Sequence, residues 1–284
     1  MYVEALSLLT ALCYGVSAIL NLKGMRDSNP LTGTMTTTLV QVTILIGLVL
    51  ARPPENMNWT GVAFFVVSGI LASTLGRFLN FTSIERLGVA VSATIIGSSP
   101  LFSTVFAVLF IGEGVSPSTL VGTVLIVVGV ALARGGDRGG SVLTSAFLLP
   151  LASAAFYGAS SVVRKVGLNL LPEATFGALI GSAASLVSFI VYVALFHENR
   201  IFRLSGSSAK FFAASGIVVS LAWISMYSAF SAGDVSVVSA LIGSNPLFSI
   251  ILSTLFLRDS EELGWRVAAG CLVIVAGASV ITLF

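Results

Sequence analysis

The chain has 284 residues, of which 56% are hydrophobic and only 9% are charged, whereas soluble domains carry roughly 25% charged residues. A mean hydropathy of +1.03 and a net charge of +2 exclude a soluble domain, a nucleic-acid partner and an acidic binding tail. The composition is that of a membrane protein in contact with lipids.

Ten apolar runs follow one another, each close to the ~20 residues that a helix needs to cross the hydrocarbon core. Their length and their apolar character on all faces favour helices over the ~10-residue alternating strands of a membrane barrel. We therefore predict an all-α membrane protein with ten transmembrane helices. The predicted spans are residues 3–22, 31–51, 60–81, 88–111, 117–134, 144–165, 173–196, 210–231, 236–257 and 264–283.

A ten-residue sequence in the fourth span recurs in the ninth span. Residues 96–105 read IGSSPLFSTV, and residues 242–251, which start 146 positions later, read IGSNPLFSII. Tyr14-Gly15 likewise matches Tyr157-Gly158 at an offset of 143, and Glu113 matches Asp259 at an offset of 146. These matches indicate an internal duplication of the chain.

The duplication predicts two five-helix repeats, residues 1–135 and 144–284, joined by a linker at 136–143. Because five is odd, the second repeat enters the membrane in the opposite orientation. We therefore expect an inverted-topology pair related by a pseudo-two-fold axis in the membrane plane.

Each repeat carries a proline in the middle of an apolar span. Proline in a helix interior costs about 3 kcal/mol, and the carbonyl that it frees must face a partner helix or an aqueous cavity. The three residues before each proline are small or polar, and the pair recurs in both halves, so we predict cavity-lining hinges, with a simple packing kink as the alternative. The hinge residues are Gly97, Pro100, Gly243 and Pro246.

Further motifs recur in order along the chain. Each repeat opens with an aromatic-glycine pair that is followed eight or nine residues later by a basic residue, and the fourth span ends in Gly-Glu before a glycine-rich fifth span. The residues are Tyr14-Gly15 with Lys23, Tyr157-Gly158 with Arg164-Lys165, and Pro100 with Gly112-Glu113.

This order resembles the EamA-type, ten-helix branch of the drug/metabolite transporter superfamily, over nearly the whole chain. Tyr14 and Tyr157 stand where that family more often has Trp, and Arg258-Asp259 replaces the second Gly-Glu. The resemblance implies export or exchange of small metabolites, such as amino acids, sugars or drugs, by alternating access.

Polar and aromatic side chains inside the spans are candidates for a substrate cavity. Arg77 is costly within a membrane, and with Asn80 three residues later it forms one polar face that suits an amino acid or organic acid. Interfacial snorkelling of Arg77 and an aromatic belt at Trp223 are the alternatives. The predicted cavity residues are Tyr14, Arg77, Asn80, Ser99, Tyr157, Trp223, Tyr227 and Asn245.

The sequence contains no Walker loop and no His-Glu-x-x-His motif, so neither an enzyme nor a protein with a metal or other cofactor is predicted. Cys13 and Cys271 lie in separate apolar runs and are interpreted as packing residues. Two functions stay open. The first is a secondary carrier for a small-molecule substrate, and the second is a non-transporting membrane protein such as a channel, lipid-handling protein or sensor.

The basic residues are distributed unevenly between the two sides of the membrane. Odd-numbered loops, with the span ends that adjoin them, contain 11 Lys and Arg, and the other connections and termini, counted in the same way, contain 3. The positive-inside rule therefore predicts a cell-membrane protein with both termini on the outer side. Members of the family that the sequence resembles usually have both termini inside. The sequence carries no signal for an oligomeric state.

Overall fold

The computed structural model describes residues 1–87, 92, 95–133, 145–196, 202–256 and 265–283. All secondary structure in these residues is helical, and each of the ten predicted spans contains a helix. The prediction of an all-α protein with ten spans is therefore confirmed. The linker predicted at 136–143, and Asp259, lie outside the described residues.

The first half contains five spans, the third of which is interrupted by a π-helical turn. Asn29 starts the second span by accepting a hydrogen bond from the Thr32 N–H at 2.8 Å, and Pro30 occupies the first turn, where no N–H is needed. The elements are α1 (Tyr2–Gly24), α2 (Pro30–Ala51), α3 (Trp59–Ile70), the π turn (Leu71–Gly76), α4 (Arg77–Leu87), α5 (Ser99–Ile111) and α6 (Pro117–Ala133).

The second half also contains five spans, and its third span, Gly206–Ala232, is one continuous helix. Six of the described helical segments are long and apolar enough to cross a membrane, and large apolar side chains such as Phe110 and Leu272 are exposed on the outer faces. The elements are α7 (Leu148–Leu170), α8 (Ala174–Phe196), α9 (Gly206–Ala232), α10 (Val235–Ile242), α11 (Asn245–Phe256) and α12 (Trp265–Leu283).

The two halves pack against each other at equivalent positions. A Cβ added at Gly15 in α1 would lie 2.8 Å from the Cβ of Phe248 in α11, and one added at Gly158 in α7 would lie 2.7 Å from the Cβ of Phe102 in α5. Gly158 follows Gly15 by 143 residues and Phe248 follows Phe102 by 146, so the duplication relates the two contacts. Close helix approach at small residues is typical of membrane proteins.

The fifth and tenth spans form a second pair across the repeats. A Cβ at Gly122 would lie 2.7 Å from the Gly277 carbonyl oxygen, and a Cβ at Gly277 would lie 2.7 Å from that of Gly122. Gly129 approaches the Gly270 carbonyl in the same way, at 2.8 Å. α6 and α12 therefore meet through a reciprocal interface.

The fourth and ninth spans are broken rather than kinked at the prolines. Gly97-Ser98 forms a turn between the helical residues 95–96 and the start of α5, and Gly243-Ser244 forms a turn between α10 and α11. The Ser98 N–H donates to the Ile95 carbonyl at 3.0 Å, and the Ser244 N–H donates to that of Leu241 at 3.1 Å. Each proline then lies in the first turn of a new helix, so it removes no helical hydrogen bond, and the expected cost of a mid-helix proline does not arise.

Candidate functional site

A cavity of about 500 Å³ lies between the two repeats. Its volume is in the range of small-molecule sites in proteins, roughly 300–1,000 Å³. Both repeats contribute to its wall, and most of the lining side chains are polar, with serine and threonine the most frequent. Neither Asp nor Glu occurs among the described residues that line it.

Six of the eight predicted cavity residues lie in this wall. Asn80 is not among the lining residues, and Tyr227 is fully buried behind Trp223, with the two rings stacked at 5.9 Å. The six lining residues are Tyr14, Arg77, Ser99, Tyr157, Trp223 and Asn245.

The predicted hinge residues are divided between the wall and the helix turns. Pro100 and Gly243 both line the cavity and pack against each other, because a Cβ at Gly243 would lie 2.8 Å from Cγ of Pro100. Gly97 and Pro246 are not among the lining residues. The two broken spans therefore meet at the cavity.

The first helix of each repeat contributes the same pattern of side chains. In α1 and in α7, the residues at positions i, i+3 and i+7 face the cavity, as the helical period requires. The two sets are related by the 143-residue offset. They are Tyr14, Ser17 and Asn21 in α1, and Tyr157, Ser160 and Arg164 in α7.

Arg164 is a buried cation with no acidic partner in the described part of the chain. It is only 5% exposed, and it donates to the Ser160 hydroxyl at 3.3 Å and to the Met226 sulfur at 3.7 Å. Its guanidinium carbon lies 5.0 Å from the ring centre of Tyr227 and 5.4 Å from that of Phe230. Its buried Nε–H has no partner.

Sequence reasoning did not assign Arg164 to the cavity. Next to Lys165 in the family-like motif, it reads as a charge near the end of a span. Its position seven residues after Tyr157, and its repeat counterpart Asn21, were the available signals. Both place the side chain on the face of α7 that lines the cavity.

Arg77 approaches the same cavity from the other repeat. It directly follows the π turn, a feature that is frequent at functional sites. Its guanidinium carbon lies 5.8 Å from the ring centre of Phe189, and one turn earlier the Ser73 hydroxyl donates to that of Ser185 at 2.7 Å. Among the described residues, the only ion pair joins the Met1 amino group to Glu4, so neither cavity arginine is neutralised.

Two further lining groups have hydrogen-bonding capacity to spare. The Gln41 amide nitrogen and the Ser239 hydroxyl are buried and without a partner. Buried polar groups are normally hydrogen-bonded, so unpartnered groups in a wall are candidates for ligand contacts. Together with the two arginines, they make the cavity rich in donors.

Glu113 joins the fourth span to the start of α10. Gly112 ends α5 with φ of 66°, a left-handed conformation that favours glycine, and the chain reversal directs Glu113 towards the second repeat. The Glu113 carboxylate accepts hydrogen bonds from the Val235 N–H at 2.7 Å, from the Ser236 N–H at 2.8 Å and from the Ser236 hydroxyl. A carboxylate is favoured at this helix N-terminus.

Lys165 makes a contact within the second repeat, at the end of α9. Its ammonium group donates to the Phe230 carbonyl at 2.8 Å and to the Gly233 carbonyl at 2.9 Å. Phe230 also lines the cavity, so this contact borders it. Glu113, Lys165 and residues 230–236 are called the polar clamp below.

Three comparisons relate the chain to known proteins. The model of the EamA-like transporter family matches residues 1–135 and again residues 144–283. The uncharacterized transporter YvbV of Bacillus subtilis is 26% identical over 92% of this chain and 85% of its own length. An uncharacterized transporter of Archaeoglobus fulgidus is 23% identical over 95% of this chain and 94% of its own length.

Solved structures share the fold. A crystal structure superposes with a TM-score of 0.81 at 20% identity, covering 99% of this chain and 96% of that chain. At this identity the likeness shows the fold alone.

Proposed function

The chain belongs to the EamA-like transporter family, and we propose that it is a secondary active transporter that moves a small metabolite with a carboxylate group by alternating access. The substrate class that fits best is an amino acid or organic acid. The cavity between the repeats is the proposed binding site.

One observation carries this proposal. The cavity lies where two inverted repeats meet, and equivalent residues of both, such as Tyr14 and Tyr157, line it. Inverted repeats with broken helices around a midplane site are the common architecture of secondary transporters. Two nearly equal halves can exchange conformations, which opens the same site to one side of the membrane and then to the other.

The polar clamp supports alternating access. Glu113 joins the fourth span of the first repeat to the start of α10 in the second repeat, and Lys165 ties α7 to the α9–α10 connection within the second repeat, next to the cavity-lining Phe230. A solute that leaves on this side must pass a contact between the repeats, so the clamp must break in one half of the transport cycle. A contact that forms and breaks in this way is expected of a gate.

Three features of the wall support a carboxylate-bearing substrate. Arg77 offers a guanidinium fork that matches a carboxylate, and α5 and α11 begin at the lining residues Ser99 and Asn245 with the positive ends of their dipoles. Tyr157 and Trp223 add aromatic surface with hydrogen-bonding groups, which suits a small amphipathic solute.

Counterflow in proteoliposomes tests the transport mode. We expect vesicles loaded with an unlabelled substrate to accelerate uptake of the labelled compound, because a carrier returns faster when it is loaded. The substrate is first found by the thermal protection that a metabolite library gives the purified protein. Uptake without acceleration by the trapped compound would point to a channel, and binding without any uptake would point to a sensor or a lipid-handling protein.

A further inference from the structure

We infer that the substrate is a small organic dianion, with one anionic group bound by Arg77 and a second bound by Arg164. This inference rests on the proposed function, and it adds a second anionic group to the substrate. The ligand class is a dicarboxylate or a compound with one carboxylate and one phosphate-type group.

The two guanidinium groups lie at different depths along α8. Arg77 lies over Phe189, whereas Arg164 lies over Tyr227, whose hydroxyl packs against Gly181. Gly181 and Phe189 are eight residues apart in α8. At about 1.5 Å per residue, the two depths differ by at least about 12 Å, because the ring of Tyr227 also packs against Gly177.

Contacts with the third span give a similar separation. Arg164 donates to the Ser160 hydroxyl, and that hydroxyl donates to the Ser68 carbonyl at 2.8 Å, so Arg164 lies near the depth of Ser68. Nine residues separate Ser68 from Arg77 in the third span. Nine α-helical residues would rise roughly 13 Å, and the π turn within this stretch makes the rise somewhat smaller.

A single anionic group does not span this distance. Charge-assisted hydrogen bonds between a guanidinium and a carboxylate are about 2.7–2.9 Å long, so one carboxylate pairs with one arginine. A substrate that engages both arginines therefore needs two anionic groups joined by a short chain. A cavity of about 500 Å³ accommodates such a molecule.

The charges in the wall lead to the same substrate class. Two arginines face the cavity, and the described lining residues contain no acidic side chain to neutralise them. Like charges that face one cavity repel each other, and each attracts an anion. Arg164 is only 5% exposed, and its buried Nε–H has no acceptor; an anionic oxygen would supply one.

Thermal protection of the purified full-length protein tests the inference. The probes are succinate, glutarate and adipate, the half-amide of each, and phosphonoacetate as a carboxylate–phosphonate compound. We expect a half-amide to need at least ten times the concentration of its diacid for equal protection, because it loses one charged pair. Stronger protection by phosphonoacetate than by the diacids would assign a phosphate-type group to one arginine.

Variants of the two arginines locate the two anionic groups. Arg77→Gln and Arg164→Gln should each bring the diacid and its half-amide close to equal protection, and Arg164→Lys should reduce the preference without removing it. Arg266→Gln, which removes an exposed arginine outside the cavity, should keep the full preference. For each variant, the unfolding midpoint with a probe is compared with the midpoint of the same variant without ligand. If Arg164→Gln does not fold, the reduced preference of Arg164→Lys tests the role of this arginine.

Equal protection by diacids and half-amides in the unsubstituted protein, or no protection by any probe, would overturn the inference. Counterflow separates this failure from failure of the proposed function. Counterflow of a half-amide as fast as that of its diacid would leave a carrier for a monoanion. Preferential binding of diacids without counterflow would uphold the two-anion site and reject the carrier.

Discussion

Replacing Glu113 by Gln is predicted to weaken the polar clamp. The Glu113 carboxylate accepts hydrogen bonds from both the N–H and the hydroxyl of Ser236 and from the Val235 N–H. Hydrogen bonds to charged groups contribute about 1.5–3 kcal/mol each, and the helix N-terminus adds about 0.3–1 kcal/mol. Glutamine keeps one acceptor oxygen but turns an amide N–H towards another donor. We therefore expect a loss of about 2–3 kcal/mol, or roughly a 30- to 150-fold shift away from the clamped conformation.

Thiol labelling in membrane vesicles measures this shift. Ser239→Cys, in a background without other cysteines, places a thiol in the cavity wall close to the clamp. An impermeant reagent applied on the clamp side should label it at least ten times faster when Glu113→Gln is present. Glu55→Gln, which removes an exposed loop carboxylate, should leave the rate unchanged. Equal rates in the Glu113 variant and its parent, with equal unfolding midpoints, would refute the role of the clamp as a gate.

Three further outcomes are expected. Arg77→Ala should lower kcat/KM for transport of a carboxylate substrate about 100-fold. Arg77→Lys should lower it about tenfold, because lysine keeps the positive charge but lacks the two parallel donors of the guanidinium. Normal transport by Arg77→Ala would make Arg77 an interfacial residue. Gly129→Ala should destabilise the protein by about 1–3 kcal/mol, because the new Cβ would lie 2.8 Å from the Gly270 carbonyl oxygen. Gly47→Ala is the control, because no atom lies within 4 Å of the Cβ position there. Equal unfolding midpoints of the two variants would contradict the reciprocal interface. A cysteine added at the C-terminus should react with an impermeant reagent in intact cells, and its protection would place the termini inside.

The spans could be predicted because their signal is local and physical. A run of about twenty apolar residues has few alternatives to a membrane helix. The repeated IGSSPLF and IGSNPLF sequences also indicated that the fourth and ninth spans are irregular. They did not distinguish a kink from a break, because proline suits both a bent helix and a first turn. The turns at Gly97-Ser98 and Gly243-Ser244 decide for the break.

The cavity wall was harder to predict because it depends on how helices are rotated. Tyr227 and Trp223 lie four residues apart on one face, yet only Trp223 reaches the cavity, since Tyr227 packs behind it. The π turn before Arg77 changes the register of the third span, and no local pattern predicts such a turn. Arg164 could have been found by comparing it with its repeat counterpart Asn21.

Accessibility of one cavity residue from both sides of the membrane tests the central claim most directly. Ser161 lines the cavity near the centre of α7, and Ser161→Cys in a background without other cysteines gives a single thiol there. The thiol should react with an impermeant reagent in right-side-out and in inverted vesicles, while the reagent itself does not cross the membrane. Reaction from one side only, or free passage of the reagent, would contradict alternating access.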